Sequence, residues 1–125
     1  MFGVKNLTPL YISLILITNW YYSLYKAIND ICNQLSKRWR YGLAISLENS
    51  LLDCMENLIM AKNAPKTLKA GYLIRASSKL EVSRLKMRLL LESKAANETK
   101  LYQAQGQLDE VGRMLGGWLK ATQST

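Results

Sequence analysis

The sequence predicts an all-α protein, an antiparallel up-down four-helix bundle, on three observations. Apolar residues recur in alternating steps of four and three over long stretches, the spacing of helices buried along one face. Only two prolines occur in 125 residues, Pro9 and Pro65, so long uninterrupted helices are favoured over a fold full of turns. No segment of useful length alternates with the two-residue period of a strand. With 49% hydrophobic and 21% charged residues, the chain can bury one continuous core, and residues 1–125 read as a single bundle domain.

The first helix is expected over about 9–35, with Pro9 in the first turn, where its missing N–H costs nothing. Its seam is Leu10, Leu14, Ile17, Tyr21, Leu24, Ile28, Ile31 and Leu35. Twenty residues from Asn6 to Tyr25 carry no charge, the length of a membrane span. Yet Asn6, Thr8, Ser13, Thr18, Asn19 and Ser23 interrupt that run, and the seam continues in phase past Lys26, Asn29 and Asp30. A bundle helix therefore accounts for the segment better, while membrane association through it stands as a rival. Tyr11, Ile12, Ile15, Leu16, Trp20 and Tyr22 lie off the seam, an apolar patch that burial in a homo-oligomer would cover.

A break is expected at Ser36-Lys-Arg-Trp-Arg40, followed by Tyr41-Gly42. The second helix is placed over about 43–62, with Leu47, Leu51, Cys54, Leu58 and Ala61 on one face, and Asn63-Ala-Pro65 ends it. The third spans about 66–93, with Leu73, Leu80 and Met87 repeating at seven and Leu91 at the next half-turn. Its surface is cationic. On an ideal helix Arg75, Lys79 and Lys86 fall within about 40° of one another, and Arg84 and Arg88 form a second row. Ala95-Ala-Asn97 is the next joint, and the fourth helix covers about 98–122.

That last helix contains Gly112, Gly116 and Gly117, each costing a helix interior about 1 kcal/mol relative to alanine. Close packing against another helix is the simplest compensation.

Seventeen Lys and Arg against nine Asp and Glu give a formal charge of +8, which makes a polyanion the first partner to consider. The candidate contacts are Lys37, Arg38 and Arg40 at the first joint, with Arg75, Lys79, Arg84, Lys86 and Arg88 on the third helix. Trp39 and Tyr41, interleaved with the joint's cations, suit base stacking. The plainer alternatives are a solvated helix face for the third-helix cations and an interhelix anchor for Trp39.

Catalysis is not expected. The chain has no histidine, which removes the usual general base and the His-ligated metal sites. Asp109 and Glu110 are adjacent and point about 100° apart on a helix. Glu48, Asp53 and Glu56 read as solvated acids rather than a metal centre, so neither metal nor cofactor is expected. Cys32 and Cys54 sit within apolar helical patterns and read as buried packing residues of a protein in a reduced compartment.

The segment Glu110-Val-Gly-Arg-Met-Leu-Gly-Gly-Trp118 resembles the C-terminal helix signature of the Avd family, the accessory variability determinants of diversity-generating retroelements. Glu110, Val111, Gly112, Arg113, Leu115, Gly116 and Trp118 match it. The order of features from about Trp20 to Lys120 is also similar: a Tyr-rich first helix, a basic joint, an acidic second helix with Leu-Glu-Asn, then a basic third helix. The resemblance implies a homopentameric barrel that partners a reverse transcriptase and binds RNA and DNA, supporting mutagenic reverse transcription and retrohoming. It implies a cytoplasmic protein encoded by a bacterium, archaeon or phage, with Gly112, Arg113, Gly116 and Trp118 as packing or interface residues. Related bundles encoded in ribosomal intervening sequences share the fold without that role and form the second rival. The chain departs from the family in lacking a proline before the basic joint, at Gln34-Leu-Ser-Lys37, and in its greasy stretch before Trp20.

Overall fold

A computed structural model describes residues 9–123, with side chains described from Leu16 to Thr122. Among these residues there are four long helices and no strand: α1 (Pro9–Asn33), α2 (Ile45–Asn63), α3 (Lys66–Ser93) and α4 (Glu98–Gln123). α1 packs on α2 and α4, and α3 packs on α2 and α4, so the four close into a ring around one core. The connections are short, which makes sequential helices antiparallel neighbours.

The core follows the four-and-three spacing. Ile17, Tyr21, Leu24, Ile28, Ile31 and Leu35 are all buried, as are Leu47, Leu51, Cys54, Leu58 and Ala61 on α2. α3 contributes Leu73, Ala76, Leu80, Met87 and Leu90, with Leu91 only half-buried, and α4 contributes Leu101, Ala104, Leu108, Val111 and Leu115. The seam positions Leu10 and Leu14, and the off-seam Tyr11, Ile12 and Ile15, lie outside the residues whose side chains are described. α1 ends at Asn33, two residues short of the expected boundary, because Gln34 and Leu35 close tight turns back to Ile31 and Cys32.

Two buried polar contacts tie three helices together. The Tyr21 hydroxyl donates to the Leu51 carbonyl at 2.6 Å, and the Cys54 thiol donates to the Ala76 carbonyl at 3.3 Å. Burial pushes the Tyr21 hydroxyl well above its ordinary pKa and the Cys54 thiol up to about 12. Cys32 is likewise pushed up to about 12, by burial first and then by Glu48. Both cysteines are therefore neutral thiols serving as packing groups.

The helix ends are closed by identifiable side chains. The Lys69 ammonium donates to the Ala61 and Lys62 carbonyls at 2.8 and 3.1 Å, meeting the negative end of the α2 dipole. Asn97 Oδ1 accepts from the Lys100 N–H at 3.0 Å, an N-cap for α4. α3 stops at Lys94, whose φ of 58° turns the chain left-handed.

Candidate nucleic-acid interface

The joint between α1 and α2 is where structure departs most from the expected break. A single helical turn, Lys37–Trp39, is followed by a π-helical segment, Arg40–Ala44, which runs directly into α2. The expected interruption over Ser36–Arg40 and the helix start near 43 are thus corrected: the chain is helical from Lys37 onward. The reason lies in the apolar steps. Trp39 packs half-buried against the core, and the next fully buried residue is Ala44, five positions on. Five is the hydrogen-bond step of a π turn, after which the four-and-three spacing resumes at Leu47 and Leu51. The interhelix-anchor alternative for Trp39 is the one its surroundings favour.

With Trp39 turned inward, its neighbours point out. Lys37, Arg38, Arg40 and Tyr41 are exposed, Tyr41 by 64%. The Arg38 guanidinium lies 5.3 Å from the Trp39 ring centroid and that of Arg40 lies 5.6 Å from the Tyr41 ring. Among the described residues no carboxylate pairs with these three cations. The corner thus holds three positive charges open to solvent beside an exposed aromatic ring. Such an arrangement can pair phosphates and stack a base.

The cations of α3 are arranged differently. Lys79 lies 3.7 Å from Asp53 of α2, Arg84 lies 2.7 Å from Asp109 of α4, and Arg88 lies 3.1 Å from Glu92. Lys86 is half-buried and donates to the Ser46 carbonyl at 3.1 Å and to Ser50 Oγ at 2.5 Å. Arg75 lies over Tyr72, 5.6 Å from the ring centroid. The row Arg75, Lys79 and Lys86 therefore leans toward α2, and Lys86 is bonded into the α2–α3 seam rather than displayed.

Between the two cation rows runs a feature that sequence reasoning missed. Ile74, Val82, Leu85 and Leu89 are exposed along the outward face of α3, and Leu68 is exposed in its first turn. Their signal was present, since Val82, Leu85 and Leu89 are spaced by three and four on the side opposite the buried seam. α2 carries a matching outward stripe, Ile45, Leu52 and Ile59, repeating at seven.

On α4 the signature residues divide. A Cβ on Gly112 would lie 3.3 Å from Leu80 Cδ2 and 3.9 Å from Arg84 Nη1, so this glycine does permit close approach to α3. Among the described residues, nothing lies within 4 Å of a Cβ built on Gly116 or Gly117. Among the described residues, close packing thus accounts for Gly112 alone. Arg113 is exposed and paired with Glu110, and the pairing lowers the Glu110 pKa while raising that of Arg113. Trp118 is half-buried against the core.

Among the described residues, no three His, Cys, Asp or Glu side chains gather as metal ligands would. No helix among them is long and apolar enough to cross a membrane.

A protein-family model described as bAvd-like matches residues 15–122, and the chain belongs to that family. No curated protein and no solved structure matches it.

Proposed function

We propose that this bAvd-like chain is the non-catalytic accessory protein of a diversity-generating retroelement. In this reading it binds a reverse transcriptase and nucleic acid, both template RNA and cDNA, and so supports mutagenic reverse transcription and retrohoming. It works as a homo-oligomer, a pentamer by family resemblance. The observation that carries the reading is the open corner of Lys37, Arg38, Arg40 and Tyr41, built on a π turn that a plain bundle does not require. Its cations meet no carboxylate among the described residues and can displace counterions from phosphates, while the enzyme partner supplies the bond chemistry. Repetition of the corner in an oligomer multiplies weak contacts into avidity. The cations of α3 and the exposed part of the α4 signature then serve mainly at protein surfaces, against the enzyme or another copy.

The test is co-expression with a diversity-generating-retroelement reverse transcriptase and its template RNA, followed by capture. The parent chain is expected to retain both. The triple variant Lys37→Glu, Arg38→Glu, Arg40→Glu is expected to lose RNA while keeping its helical circular dichroism. A parent chain that binds neither RNA nor DNA in dilute buffer, or captures no reverse transcriptase, overturns the proposal.

A further inference from the structure

The α3–α4 joint holds a cation in a backbone conformation that disfavours lysine. Lys94 ends α3 with a φ of 58°, and it alone among the described residues has a positive φ. There the Cβ of an L-residue crowds the following carbonyl, so glycine, and next asparagine, ordinarily closes a helix in this way. Lys94 is exposed, and among the described residues its ammonium meets no carboxylate, carbonyl or aromatic ring. No polar contact of the side chain therefore offsets the crowding. The turn itself is shaped by Ser93, whose hydroxyl donates to the Leu90 carbonyl at 2.6 Å and accepts from the Ala95 N–H at 3.2 Å.

Lys94 stands at the same end of the bundle as the open corner. α2 and α3 run antiparallel in a register marked by Cys54 against Ala76, Asp53 against Lys79 and Ser46 against Lys86. Followed for a further eight residues in each direction, about 12 Å, that register brings Arg38 level with Lys94. α3 also packs against the π segment that carries the corner, and packed helices lie about 8–10 Å apart. Of the acids near the joint, Glu92 is held by Arg88, and Glu98 lies in the first turn of α4, where the helix dipole favours it.

On the reading of Lys37, Arg38 and Arg40 as phosphate contacts, we propose that the nucleic-acid surface crosses this end of the bundle. It runs from the α1–α2 corner to the α3–α4 joint, and Lys94 is a further phosphate contact. A strand gripped at the corner continues over the joint, where the left-handed turn presents the ammonium to its backbone. Glycine at this position would make a better helix stop and a poorer grip.

The experiment sets stability against binding in the full chain. Urea unfolding is followed by circular dichroism, and filter binding of a single-stranded RNA oligonucleotide is read over a salt series. Lys94→Gly is expected to raise the urea midpoint, because glycine adopts the left-handed turn without crowding. The same variant should lower the log–log salt slope by about 0.7, which at 0.1 M salt is about a five-fold loss of affinity. Lys94→Arg should keep the parental slope. Lys66→Ala removes an exposed cation at the opposite end of the bundle and should leave the slope unchanged. A parental slope in Lys94→Gly, an equal loss in Lys66→Ala, or a lower midpoint in Lys94→Gly overturns the role of Lys94. A parent chain that binds no RNA overturns the proposed function as well, whereas loss of binding on changing Lys37, Arg38 and Arg40, but not Lys94, overturns the extension alone.

Discussion

The joint at Lys37–Tyr41 and the outward side of α3 are both rich in cations, yet they are different kinds of surface. At the joint, Lys37, Arg38 and Arg40 stand open with no carboxylate partner among the described residues. On α3, Lys79, Arg84 and Arg88 already meet acids and Lys86 meets Ser46 and Ser50. Positive charge in a sequence therefore states a capacity, and the neighbours decide whether that capacity is spent inside the fold. Of the candidate contacts, Lys37, Arg38 and Arg40 at the joint and Arg75 on α3 are the ones left exposed without an acid partner among the described residues.

The comparison breaks or holds most visibly in the salt dependence of RNA binding. Replacing Lys37, Arg38 and Arg40 together by alanine should lower the log–log salt slope by about 2, at roughly 0.7 per single-strand phosphate contact. Replacing Arg84 and Arg88 should change it by less than about half a unit if their charge is held by Asp109 and Glu92. Equal loss at both sites would erase the distinction. Filter binding over a salt series reads it directly.

Stability gives the converse. Lys86→Met removes a charged donor from the α2–α3 seam and should cost about 1–2 kcal/mol in urea unfolding, with RNA affinity unchanged. Arg40→Met should do the opposite, since among the described residues its guanidinium meets only the exposed Tyr41 ring.

The smallest effect separates the glycines of α4. Gly116→Ala should raise the midpoint by an amount worth about 0.5–1 kcal/mol, because alanine is the better helix former and no described residue lies within 4 Å of the added methyl. Gly112→Ala should gain little or lose, since Leu80 must give way by a few tenths of an ångström. Equal gains at both positions would show that Leu80 moves freely.

Much of this architecture is legible in the sequence, because the four-and-three spacing and the two prolines are local signals that the core satisfies directly. Leu47, Leu51, Cys54, Leu58 and Ala61 needed only counting. The π turn was not legible, because a step of five between Trp39 and Ala44 is indistinguishable from a broken helix until the core is known to hold both residues. The hydrogen bonds of Lys86 to Ser46 and Ser50 were not legible either, although its bearing on the helix was. Helical angle fixes where a side chain leaves the backbone, but a long flexible stem can bend into a seam and find oxygen acceptors there. Gly116 and Gly117 carry the family pattern with no close neighbour among the described residues to account for it, and periodicity has no means to separate packing within a chain from packing between chains.

The five-residue step has a consequence for how the protein can change over time. A helix that absorbs one surplus position works as an angular offset, and deleting Gly42 would rotate the preceding turn by about 100° relative to α2. Trp39 would then swing off its seat while Arg38 and Arg40 faced another flank of the molecule. A single codon gained or lost at this spot thus re-aims the positive corner as a unit and leaves the helices downstream in register.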